Sequence, residues 1–166
     1  MGVYRRILVP IEGTDTDLPV LQHVKALAAA VGAEVLLLRV AHYHTRDERT
    51  HEVDDAEGDL RRAAAVLAGG GFAVRTELGH GEPAETIIAA ATDLSADLIA
   101  MGTHGHGWLL RLVLGSVAED VRHGTHVPLL LVRAGHAADT PAAAGADEEG
   151  GPDAHVTVPN EEADGG

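Results

Sequence analysis

The chain has 166 residues, 45% of them hydrophobic, which is enough for one globular domain around one core. It contains no cysteine, which excludes disulfides and thiolate chemistry and fits a reducing cytoplasm. Its formal net charge of −14 argues against nonspecific binding to duplex DNA, which needs a clustered basic face.

Short aliphatic runs alternate with longer Ala-rich segments. RILVP at 6–10 reads as a first strand, bounded by polar residues. TDLPVLQHVKALAAAVG at 16–32 has apolar residues at helical spacing and Gly32 as a stop. EVLLLRV at 34–40 is a second strand. EVDDAEGDLRRAAAVLAGGG at 52–71 reads as a helix, with Leu60, Ala64 and Leu67 on one face and a glycine stop. Its acids Asp54, Asp55, Glu57 and Asp59 read as a solvated face. FAVRTEL at 72–78 alternates Val74, Thr76 and Leu78 with Arg75 and Glu77, the pattern of an edge strand. GEPAETIIAAATDLS at 81–95 is a helix with Pro83 in its first turn, where proline is tolerated, and with Glu82 and Glu85 placed to complement its dipole. DLIAMG at 97–102 is a fourth strand, SVAEDVRHG at 116–124 a last helix, and VPLLLVR at 127–133 a last strand.

This βαβαβαβαβ order implies parallel strands joined by crossovers, an α/β sheet with helices on both faces. The runs at 6–10, 34–40 and 97–102 lack polar alternation, as strands covered on both faces do. The domain is expected over 1–134. Residues 135–166 carry eight acids and no Lys or Arg, leaving 18 acids against 12 bases before them. That segment lacks lasting periodicity and reads as an acidic, disordered tail, with HVTV at 155–158 its only strand-like fragment. No basic-then-apolar start resembles a signal peptide, and runs such as VLLL at 35–38 fall far short of a membrane span, so a cytoplasmic protein without membrane insertion is expected.

The chemistry is expected in MGTHGHGWLLRLVLGS at 101–116. In a doubly wound sheet, ligands sit beyond the carboxyl ends of the strands, where the strand order reverses. Glycine lets the backbone approach a ligand closely. The helix that opens at Gly115-Ser116 offers amides without internal partners, a natural anion site. Two roles are open to Ser116: capping the helix, or donating its hydroxyl to a phosphate oxygen. The loop is no P-loop, because Trp108 and Leu109 stand where Lys and Ser/Thr belong. Nor is it a dinucleotide fingerprint, because position 110 is Leu. The pairs His104/His106 and His42/His44 have no third ligand at a recognised spacing, so no metal is assigned. Trp108 reads as packing, and Arg111 faces either phosphate or solvent. No Ser/His/Asp set is identifiable, and no catalytic residue is assigned.

The spacing Gly102-x2-Gly105-x9-Gly115-Ser116 resembles the nucleotide-binding branch of the universal stress protein family. So do RILVPIEGT at the start, GEPAETII before the third helix, ADLIAMGTHGHG before the loop and LGSVAEDVRHGTHVPLLLVR after it. The likeness covers about residues 3–134 and implies a Rossmann-like, five-stranded parallel sheet of order 3-2-1-4-5. It implies ATP, with or without magnesium, across the ends of strands 1, 2 and 4. Pro10 and Glu12 then match positions lining the nucleotide; the family usually has Asp at the latter, and Glu is one methylene longer. Val40 matches the position whose backbone reads the adenine edge. Met101, Gly102 and Gly105 match the stretch under the ribose and phosphates, and Gly115, Ser116 and Val117 the phosphate-holding turn. The last strand, Val127 to Val132, matches the segment that pairs across a two-fold axis in many family dimers. The resemblance thus implies a homodimeric, ATP-binding stress regulator. Two alternatives stay open: a dimeric adaptor of the same fold without nucleotide, and a slow ATPase in which Glu12 orients a water.

Overall fold

The computed structural model describes residues 3–43, 46–103 and 115–133. The elements run β1 (Arg6–Ile11), α1 (Asp17–Val31), β2 (Glu34–Ala41), α2 (Arg46–Leu67), β3 (Val74–His80), α3 (Pro83–Asp93), β4 (Leu98–Thr103), α4 (Ser116–Gly124) and β5 (Leu129–Arg133). All five strands are parallel, in the order β3-β2-β1-β4-β5. Every expected strand and helix is present, and the sheet has the expected order.

Alternate residues of each central strand feed opposite cores, because successive side chains on a strand point to opposite faces. Ile7, Val9, Val35 and Leu37 pack with Val20 and Val24 of α1 and with Leu60 and Leu67 of α2. Leu8, Leu36, Leu38, Ile99 and Met101 pack with Ile87 and Ala90 of α3 and with Ala118 and Val121 of α4. Thus α1 and α2 cover one face, α3 and α4 the other, and the winding reverses between β1 and β4. That double cover is why β1, β2 and β4 are aliphatic almost throughout. β3 is an edge strand with both exposed and half-buried residues, as its alternation predicts. No helix among the described residues is long and apolar enough to cross a membrane.

Element ends differ from expectation where backbone rules outrank the apolar pattern. α2 starts at Arg46, well before Glu52, because RDERTH contains no Gly or Pro to break a helix even though it adds nothing to the apolar stripe. It stops at Leu67, short of the expected glycine run, where Gly69 and Gly71 take φ of 75° and 76°. β3 runs on to Gly79 and His80, which pair with Val40 and Ala41 of β2. β5 starts two residues late, at Leu129, because the Val127 amide is spent on Thr125 Oγ1 (3.1 Å) and Pro128 has no amide to give.

One correction concerns charge. Asp54, Asp55 and Glu57 are exposed, as expected of a solvated face, but Asp59 is only 8% exposed. It lies one turn from Ala56 and one turn from Ala63, on the buried stripe of α2. Its partner is Arg39 of β2, whose Nε donates to Asp59 Oδ2 at 3.1 Å; Arg62 pairs with Asp59 Oδ1. Arg39 Nη2 lies 3.6 Å from Glu52 of the same helix. A charge this deep is tolerated only when paired.

Two stability outcomes follow. Leu37→Ala, at a fully buried position, should lower unfolding free energy by about 2–5 kcal/mol in chemical denaturation. Arg39→Met should lower it by roughly 3–5 kcal/mol despite conserving an aliphatic stem, because it strips Asp59 of its buried partner.

Candidate functional site

The carboxyl ends of β2, β1 and β4 lie side by side, and the helices that follow β1 and β4 pack on opposite faces. Such a divergence opens a crevice at the strand ends. At the end of β1, Pro10 is half-buried and Glu12 is exposed. Gly13 follows with φ of +78°, a conformation that favours glycine. The turn then aims three successive amides one way, a concavity suited to an anion. The chain supplies that anion itself. Asp17, the first residue of α1, accepts from the amides of Glu12 (3.1 and 3.2 Å), Gly13 (2.7 Å) and Thr14 (3.2 Å). Burial pushes the Asp17 carboxyl above its ordinary range; those three amides pull the other way, and the charge of Asp59 adds to the rise.

At the end of β2, Val40 is buried on the α3/α4 side. Arg39, on the other face, turns its guanidinium back so that Nη1 donates to the Val40 carbonyl at 2.6 Å. At the end of β4, Met101 is buried and Gly102 half-buried. A Cβ on Gly102 would lie 3.1 Å from the Thr16 carbonyl oxygen and 3.2 Å from Val20 Cγ2. The start of α1 therefore sits against β4 closely enough that a side chain there would have to displace it by a few tenths of an ångström, a packing reason for glycine that sequence spacing does not reveal.

α4 opens with Gly115 as its N-cap at φ −57°, ψ 153°, and no side chain caps it. This corrects the capping role open to Ser116: that residue is the first of the helix and exposed, and its hydroxyl closes no cap. Val117 is half-buried against the α3/α4 core. Among the described residues, and apart from its chain neighbours and its own helix turn, nothing lies within 4 Å of a Cβ built on Gly115. Glu119, the acid of the first turn of α4, is engaged further along the helix. Arg122 (2.6 Å) and His123 (2.9 Å) hydrogen-bond its carboxylate and hold it below the usual carboxylate range. An uncapped amide turn with its local acid neutralised can receive an anion.

Pro10, Glu12, Val40, Met101 and Gly102 thus lie at the carboxyl edge on three adjacent strands, with Gly115, Ser116 and Val117 at the start of the helix after β4. Gly105 lies outside the described residues, as do His44, His104, His106, Trp108, Arg111 and the segment 135–166. His42 Nδ1 lies 3.2 Å from the Gly81 carbonyl oxygen and 3.9 Å from Glu82. Glu82 stands at the N-cap of α3 and Glu85 in its first turn, as their dipole reading requires. Among the described residues no three His, Cys, Asp or Glu side chains are grouped to hold a metal. A separate cleft of about 210 Å³ between α1 and α2 is lined by Gly13, Leu21, Val66 and three acids, Asp15, Asp17 and Asp59. Its charge disfavours a polyphosphate, so the strand-end crevice is the better candidate.

Sequence reasoning missed Asp17, Arg39 and Asp59. The signal for the last two was present: an arginine inside an otherwise aliphatic strand needs a counter-charge, and Asp59 shares the helical register of Ala56 and Ala63.

The model of the universal stress protein family matches residues 3–133. Universal stress protein MJ0531 of Methanocaldococcus jannaschii is 33% identical over 142 residues, covering 80% of this chain and 84% of that protein. The solved structure of protein MJ0577 of the same organism is 31% identical with a TM-score of 0.67, covering 79% of this chain and 96% of that one. A universal stress protein of Archaeoglobus fulgidus, solved in complex with dAMP, is 23% identical with a TM-score of 0.64, covering 78% and 98%, a likeness that speaks for the fold alone. With the family model spanning most of the chain, and a relative one-third identical over nearly all its length, the chain belongs to the universal stress protein family.

Proposed function

We propose that this chain is a cytoplasmic, homodimeric stress regulator that binds ATP at the carboxyl edge of its sheet and changes shape or partners with the nucleotide. The observation that carries the reading is the start of α4, whose N-cap Gly115 has no side-chain cap hydrogen bond, at the end of the full Gly102-x2-Gly105-x9-Gly115-Ser116 spacing. Adenine lies along the backbone at Val40, the ribose by Pro10, Glu12 and Met101, and the phosphates on Gly102, Gly105 and the amides of Gly115, Ser116 and Val117, with magnesium as a companion of the phosphates.

Magnitudes decide which contacts matter. Micromolar affinity is about 8 kcal/mol, whereas a helix terminus contributes at most about 2 kcal/mol to a nearby charge. Hydrogen bonds to charged groups contribute about 1.5–3 kcal/mol each. Three amides on phosphate outweigh the dipole, and base contacts are still needed. A competing reading, an adaptor without nucleotide, draws on two observations. The amides after β1 are already taken by Asp17, and Gly102 is favoured by its close packing on Thr16 and Val20, so neither needs a ligand.

Titration calorimetry of the full chain with ATP and magnesium should show saturable binding near one nucleotide per chain. Gly115→Val, which places a branched side chain before the amides, should weaken it by about tenfold or more, one lost charged hydrogen bond or more. No heat with the unaltered chain, and no nucleotide on the natively purified protein, would favour the adaptor. β5 is an edge strand of half-buried aliphatic residues, a surface that calls for a partner strand. Light scattering should give the mass of two chains, and a monomer at micromolar concentration contradicts the dimer.

A further inference from the structure

We infer that Asp59 is a positioning residue: from α2 it holds the end of β2 and the turn after β1 in fixed relation, and so sets the geometry of both halves of the nucleotide site. The inference rests on the nucleotide reading above for its ligand, though not for its geometry.

Three contacts converge on this one carboxylate. Oδ2 accepts from Arg39 Nε at 3.1 Å, and the same guanidinium donates from Nη1 to the Val40 carbonyl at 2.6 Å. Oδ1 pairs with Arg62 on the next turn of α2. The third contact is steric. A Cβ on Gly13 would collide with the Asp59 carboxyl group, so the bare Gly13 backbone rests directly against it. The carboxylate is therefore a strut between two strand ends. One end presents Val40, proposed to read the base; the other presents Glu12, proposed to face the ribose.

The pairing chemistry suits the task. A planar guanidinium can donate in two directions at fixed angles, so Asp59 and the Val40 carbonyl are held in one geometry. The Arg39 side chain is 17% exposed and Asp59 8% exposed, so water screens the pair weakly and neither group can turn outward without losing its partner. Gly13, at φ of +78°, keeps the turn tight enough to meet the carboxylate.

Hydrogen exchange on the ligand-free full chain tests the strut. Asp59→Ala, which removes both the partner of Arg39 and the group packed on Gly13, should speed exchange about tenfold at both 12–17 and 40–43, leaving β4 at 98–101 unchanged, as local opening does. Arg39→Lys keeps a charge for Asp59 but loses the second donor arm, so it should loosen 40–43 and spare 12–17. Acceleration confined to α2, or uniform over the domain, would overturn the inference, since either describes a residue that only supports its own helix or the fold. Calorimetry adds the ligand arm. Asp59→Ala should weaken ATP and adenosine alike, by about tenfold or more, because both need the Val40 end in place. Loosened segments with unchanged affinity would also overturn it. If the unaltered chain binds neither ATP nor adenosine, the proposed function fails, and the exchange pattern alone still decides whether Asp59 holds the two strand ends.

Discussion

A strand buried on both faces meets water only at its ends. β1, β2 and β4 are such strands, packed between α1 and α2 on one side and α3 and α4 on the other. Their side chains are committed to the two cores and are nearly all aliphatic. Whatever chemistry the fold performs must therefore be carried by backbone groups and by the few side chains that stand just past the last ladder bond. The carboxyl edge is where this chain concentrates them: Glu12 and Gly13 after β1, the Val40 carbonyl on β2, Gly102 on β4 and the open start of α4.

The same constraint explains what was readable in the sequence. Aliphatic runs separated by Ala-rich amphipathic stretches identify every strand and helix, because two-sided burial suppresses polar alternation in the inner strands and leaves it in β3. Helix ends were less legible. α2 begins where the chain stops resisting helix rather than where its apolar stripe begins, and β3 continues as long as β2 offers partners. Charge was the most misleading cue. Four acids in a row of helical turns look alike in one dimension, yet Asp59 lies on the inner stripe and its neighbours do not. Arg39, embedded in EVLLLRV, is the other half of that pair and could have exposed it.

The glycines show how spacing can be right for more than one reason. Gly102 and Gly115 belong to the same pattern, but their surroundings differ. Gly102 is packed closely on Thr16 and Val20, so the fold itself favours glycine there, whereas nothing described confines Gly115. A motif that mixes an architectural glycine with an unconstrained one carries its functional content in the unconstrained member. Fold membership fixes the scaffold, and the argument for a ligand has to be made at the site itself.

The self-closure of the turn after β1 has a further consequence. Asp17 already occupies the amides that an incoming anion could have ordered, so this part of the edge is preorganised before anything arrives. A ligand gains no induced ordering there and spends little entropy on it. On the proposed reading, a ligand meets the turn after β1 already held in shape by a carboxylate of the chain's own.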